Sequence, residues 1–153
     1  MRFHGRDLRK GRLSLPGQTY ILTCVTLNRA ALFAEWPAAS TLAQEIHWIG
    51  QSDLIESLAW VIMPDHLHWL VQLKTGSLSQ LMQRLKSRSA VATNATRRTH
   101  GAIWQKGYHD RAIRDEEDLC NVARYIVANP LRAGLVNRLG DYPFWDAVWL
   151  QHR

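Results

Sequence analysis

The sequence predicts an α+β fold, a ferredoxin-like antiparallel sheet with helices packed on it, and three observations lead there. Apolar patterns of strand and helix period follow one another in the order strand, helix, strand, strand, helix, strand, helix. The two central strands are separated only by Pro64-Asp65, a spacing that calls for a tight antiparallel hairpin. The chain has 153 residues, 46% of them hydrophobic, enough for one domain with a real core and too few for two. Residues 1–153 are therefore expected to form a single domain, with a basic arm over about 1–17 and an aromatic tail over about 131–153.

Residues 2–17 carry Arg2, Arg6, Arg9, Lys10 and Arg12 and end in Leu15-Pro16-Gly17, which reads as an irregular basic arm closed by a turn. A solvated tail is the plain interpretation; the functional one is that Arg6, Lys10 and Arg12 grip phosphates. Thr19–Leu27 is dense in β-branched and aromatic residues and closes with Asn28-Arg29, so it reads as a strand. Between Trp36 and Gly50, Leu42, Ile46 and Ile49 form a helical stripe, and Gly50 is a natural stop. Leu54–Met63 and Leu67–Leu73 are the hairpin strands.

Ser77 is placed to cap a helix from Leu78 to about Thr99, with Leu78, Leu81, Met82 and Leu85 on its apolar side. A charged helix face is usually just solvated. Here the charges are of one sign and lie among amides and hydroxyls, so Arg84, Lys86 and Arg88 are candidates for phosphate contact. Gly101–Gly107 reads as a loop holding Trp104, and Tyr108–Arg114 as a final strand. Asp115-Glu116-Glu117-Asp118 then open a helix from about Glu116 to Ala128, their carboxylates matching the positive end of its dipole. Asn129-Pro130 stops it, since proline lacks a donor and disfavours helix in the residue before it.

A formal charge of +6 and a sequence pI of about 9.8 argue for a polyanionic partner, nucleic acid ahead of an anionic membrane surface. Cys24 and Cys120 are too few for a disulfide framework and form no C-x-x-C pattern, which fits a reducing cytoplasm. No apolar run approaches the roughly 18 residues of a membrane span.

The chemistry centres on His66-Leu67-His68. Alternation on a strand points both histidines the same way, roughly 7 Å apart along the backbone, close enough to converge on one ion. Leu67, Trp69, Val71 and Leu73 make the opposite face wholly apolar. Tyr125 and Asn129, four residues apart on a helix, project from one side that could face the histidines. Two imidazoles and one amide oxygen leave room for water and a phosphate oxygen, which suits Mg²⁺ or Mn²⁺ better than a closed structural zinc. Asp65 is an alternative oxygen donor, although a role in the turn suits it better.

Met63-Pro64-Asp65-His66-Leu67-His68 together with Arg124-Tyr125-Ile126-Val127-Ala128-Asn129-Pro130-Leu131-Arg132-Ala133-Gly134-Leu135 resembles the HUH single-tyrosine transposases, specifically the REP-associated tyrosine transposases. Leu15-Pro16-Gly17, the segment Trp104 to Asp110, Asp115 to Leu119 and Asp141 to Asp146 carry the resemblance over most of the chain. It implies the HUH nuclease type of fold, His66, His68 and Asn129 as metal ligands, and Tyr125 as nucleophile. It implies cleavage of single-stranded DNA near hairpins of repetitive extragenic palindromic (REP) elements, through a 5′-phosphotyrosine that a freed 3′-hydroxyl can attack in reverse. A monomer or a homodimer is compatible with it, and the nucleoid is the expected place of action. His109 and Asp110 are more simply structural, with entry behind the site as the alternative.

Three other readings compete. A histidine-rich nucleotide hydrolase would want a third histidine two residues after His68, and that position is Leu70. A non-catalytic structured nucleic-acid binding protein accounts for charge and aromatics but does not require Tyr125 beside a metal claw. A plain interaction protein explains neither.

Overall fold

The structure of the protein, a computed structural model, describes residues 14–114 and 118–150. Its elements are β1 (Thr19–Val25), α1 (Trp36–Gly50), β2 (Ile55–Met63), β3 (His66–Leu73), α2 (Leu78–Arg97), β4 (His109–Ala112), α3 (Leu119–Val127), α4 (Asn129–Arg132) and β5 (Trp145–Ala147). One antiparallel sheet runs in the order β4-β1-β3-β2-β5, the ferredoxin-like α+β arrangement expected, with one strand added at its edge.

The two faces of the sheet have different covers. Leu22, Cys24, Leu67, Trp69, Val71 and Leu73 pack beneath α1 and α2, which contribute Leu42, Ile46, Ile49, Leu78, Leu81 and Leu85. On the other face Leu58, Ala59, Val61, Met63 and Leu70 meet Ala123, Ile126 and Val127 of α3. A bulge between Ser57 and Ala59 reconciles β2 with this division. Its extra residue lets Ile55 and Ile62 serve the same face despite their odd spacing. Ser57 uses its position to accept a hydrogen bond from Trp69 Nε1 at 2.8 Å. At the start of α2, Ser77 and Gln80 form a reciprocal capping box.

Several boundaries differ from the sequence expectation for local reasons. β1 stops at Val25 because Asn28 and Arg29 take left-handed backbone angles, φ 56° and 52°, in a 3₁₀ turn that cannot continue a strand. β3 begins at His66, which pairs with both Met63 and Val25. α2 ends at Arg97, and β4 is confined to four residues. Asp118 is the N-cap of α3, accepting from the backbone N–H groups of Cys120 and Asn121. Asp115, Glu116 and Glu117 lie outside the described residues, as do Arg6, Lys10 and Arg12 of the arm.

Pro130 does not end the helical path. It sits in the first turn of α4, where its missing N–H is not needed, so the chain makes a further turn after a break at Ala128. The tail contributes β5, a strand too short to show in the pattern, which pairs with Ala59, Trp60 and Val61.

Trp69 is completely buried between the sheet and the helices. Replacing it by alanine should cost about 3–5 kcal/mol of stability, measured by urea unfolding at neutral pH.

Candidate functional site

The register of the sheet assembles the site. His68 on β3 lies between Thr23 on β1 and Val61 on β2, and Thr23 in turn pairs with His109 on β4. Side chains in register across an antiparallel sheet share a face, so these residues form a row on the side that carries α3. That helix contacts β2, β3 and β5. The part of the face formed by β1 and β4 is left open as a cleft of about 620 Å³, lined by Ile21, Thr23, His68, Arg111, Asn121, Tyr125, Asn129 and Arg132 among others.

The rings of His66 and His68 stand edge to face with centroids 4.7 Å apart. Each has its Nδ1 engaged. His66 Nδ1 is 2.7 Å from Asp65 Oδ1; a carboxylate only accepts, so the proton of this bond sits on Nδ1, and Nε2 is the nitrogen Asp65 does not engage. His68 Nδ1 is 2.8 Å from the hydroxyl of Thr23, a group that can accept as readily as donate and so permits the same tautomer. Asp65 Oδ2 is held by Arg29 at 3.1 Å. Burial alone would raise the Asp65 carboxyl, but the hydrogen bonds and charges of His66 and Arg29 outweigh it and hold the group below its usual value.

His68 is pushed down to about 4, chiefly by burial and further by the charges of His66 and Arg132, so it is a neutral imidazole at physiological pH. Among the described residues no three His, Cys, Asp or Glu side chains converge. Two imidazoles with the Asn129 amide as an oxygen donor, opening on a cleft, fit an incompletely coordinated hard divalent cation. Asp65 faces Arg29 and His66, consistent with a supporting role.

α3 places Tyr125 at the mouth of this cleft, 68% exposed. The ring lies beneath the guanidinium of Arg132, 3.9 Å from its centroid, a contact made possible by the extra turn after Pro130. Asn129 lines the cleft with His68 and Tyr125, and His66 stands against His68.

The remaining candidates lie elsewhere. Lys86 donates to the backbone carbonyls of Gln105 and Gly107 and so supports that loop. Arg88 pairs with Glu45 at 2.8 Å and covers the ring of Trp48 at 3.9 Å. Arg84 is exposed, on the same helix. All three belong to α2, across the sheet from the cleft. His109 falls in the row of Thr23 and His68, whereas Asp110 pairs with Leu22 and belongs to the opposite face. Thr23, Arg111 and Arg132 were not distinguishable as site residues in the sequence. A helix read through Pro130 would have put Arg132 two turns after Tyr125 on the same side.

Residues 15–129 match the family described as "Transposase IS200 like". A REP-associated tyrosine transposase of Escherichia coli K12 is 31% identical over 88 residues, 56% of this chain and 50% of that protein. A Haemophilus influenzae protein given the same name provisionally is 31% identical over 100 residues, covering 58% of this chain and 57% of the relative. The chain thus spans about half the length of the curated relatives it matches. Its fold is shared with a solved REP-associated tyrosine transposase bound to a REP hairpin, with a TM-score of 0.73 and 24% identity over 95% of this chain and 81% of the other.

The position of His68 has a consequence for pH. Its folded value of about 4 lies below the ordinary 6.5, so between these values the unfolded chain binds more protons than the folded one. In metal-free protein the stability contribution should be complete above about pH 6.5 and decline as the pH falls towards 4. Chemical denaturation across that range, with His68→Gln beside the wild type, should show a shallower acid-side slope in the variant.

Proposed function

Because the chain belongs to the IS200-like transposase family, we propose that it is a metal-dependent single-stranded DNA endonuclease and strand transferase acting on hairpins of REP elements. The observation that carries this reading is the convergence of Tyr125, His68 and Asn129 on one cleft, with the ring of His66 beside that of His68. The REP hairpin bound by the structural neighbour supports the substrate class. A positive net charge supports binding to a polyanion and action at the nucleoid in the cytoplasm. No described helix is long and apolar enough to cross a membrane.

His66, His68 and Asn129 would hold Mg²⁺ or Mn²⁺, whose chemistry when bound is to polarise a non-bridging phosphate oxygen and draw charge from phosphorus. Asp65 and Thr23 orient the two imidazoles by occupying Nδ1. Arg132 restrains the Tyr125 ring at the mouth and adds positive charge where the DNA backbone enters. The exposed Tyr125 hydroxyl loses its proton to solvent water and attacks phosphorus; its oxygen forms the new P–O bond as the bond to the 3′ oxygen breaks, and that oxygen takes a proton from water. The products are a 5′-phosphotyrosine and a free 3′-hydroxyl. Because the link is a phosphodiester of similar energy, attack by a 3′-hydroxyl reverses the step and joins strands.

Incubation with single-stranded oligonucleotides carrying REP-type hairpins, with Mg²⁺, Mn²⁺ or chelator, tests this on a denaturing gel. Wild type should form a metal-dependent covalent adduct. Tyr125→Phe should form none while its DNA affinity changes by no more than about threefold, since the stacking ring is kept. Binding without adduct or cleavage under all these conditions would favour a non-catalytic nucleic-acid binding protein instead.

A further inference from the structure

On the reading of His66 as a metal ligand, we infer that Arg29 is a positioning residue. Through Asp65 it fixes the ring of His66, and the left-handed turn at Asn28-Arg29 serves to bring it there. Asn28 and Arg29 are consecutive non-glycine residues with φ of 56° and 52°, a conformation that L side chains adopt uncommonly and that persists where surrounding contacts impose it. Those contacts are present. The backbone N–H of Arg29 donates to the Thr26 carbonyl at 3.0 Å, and that of Ala30 to the Leu27 carbonyl at 3.2 Å.

The same segment grips the turn that carries the histidines. Thr26 is completely buried. Its N–H donates to the Asp65 carbonyl at 3.0 Å, and its hydroxyl lies 3.1 Å from that carbonyl and 2.7 Å from that of Ala30. Phe33 N–H donates to the Pro64 carbonyl at 2.9 Å. With the backbone of Pro64-Asp65 fastened in this way, Arg29 reaches Asp65 Oδ2 at 3.1 Å while Oδ1 accepts from His66 Nδ1 at 2.7 Å.

Each oxygen of one carboxylate therefore has its own partner. The carboxylate cannot rotate without breaking one of the two bonds, so the direction of the His66 N–H is set from two residues away. Stability does not account for the pair, because the Arg29 side chain is 66% exposed and ion pairs of that kind contribute little. Orientation does: a ligating imidazole depends on what holds its other nitrogen. His68 is held by the Thr23 hydroxyl instead, so the effect is confined to one of the two rings.

The test compares wild type with Arg29→Gly, Arg29→Lys, Asp65→Asn and the double variant Arg29→Gly/Asp65→Asn, all without DNA. Glycine adopts the left-handed turn without steric cost and removes the side chain, guanidinium included, while lysine keeps a cation on an aliphatic stem. Two readouts are taken at pH 8: the tautomer of His66 from ring ¹⁵N NMR of metal-free protein, and Mn²⁺ affinity by titration calorimetry. Wild type should show the Nδ1–H tautomer alone. Arg29→Gly should show a mixture, with Mn²⁺ bound about tenfold more weakly, and lysine should restore part of both. The double variant should bind Mn²⁺ no worse than Asp65→Asn, because Arg29 acts through that carboxylate. An unchanged tautomer in Arg29→Gly would overturn the inference, as would losses that add in the double variant. A wild type that binds no Mn²⁺ would sink the metal reading of the site, and the tautomer comparison would still decide the role of Arg29.

Discussion

The pairing of β3 between β1 and β2 is the constraint from which the rest of the site follows. Its register puts His68 opposite Thr23 and Val61, and His66 opposite Val25 and Met63. Because side chains alternate along a strand, a slip of one residue would turn both histidines into the apolar layer beneath α1 and α2 and expose Leu67 and Trp69 in their place. The buried face therefore determines the register, and the register determines which side carries the imidazoles. Hydrophobic burial and imidazole placement are two results of the same alternation.

The second requirement is incomplete coverage. α1 and α2 seal their face of the sheet, whereas α3 contacts β2, β3 and β5 and leaves the side of β1 and β4 open. His68 stands at this boundary, buried enough to remain neutral and still lining a cleft. Had the helix covered the whole face, nothing the size of a nucleotide could reach His68; with no helix, His68 would be solvated and protonated at mild acidity. The break at Ala128 completes the arrangement by starting a further turn that brings Arg132 over Tyr125.

What could be read from the sequence was what depends on local periodicity. The shared direction of His66 and His68 follows from a period of two, and that of Tyr125 and Asn129 from a helical spacing, so neither needs knowledge of the fold. The order of strands and helices followed from the same patterns, and the resulting α+β sheet is the one observed. Features that depend on distant partners were hidden. Nothing near Thr23 indicates that it meets a residue 45 positions away. Lys86 and Arg88 could be assigned to the polar side of a helix, but not to the loop carbonyls and Glu45 that engage them. β5 has only three residues, too few to show alternation. Arg132 was hidden by a sound local rule applied at the wrong position, since proline ends a helix from within but is well tolerated in its first turn.

The two outer strands are also the shortest, four residues in β4 and three in β5. A sheet edge is a row of unsatisfied donors and acceptors, and a long flat one can recruit strands from other chains. Here β4 presents His109, Asp110 and Arg111 in succession, and β5 runs directly into a 3₁₀ turn. Neither offers a run of backbone long enough to seed a continuous intermolecular ladder. The architecture that leaves one flank of the sheet open as a cleft thus limits that flank as a starting point for fibrillar self-association, a safeguard set by strand length and charge together.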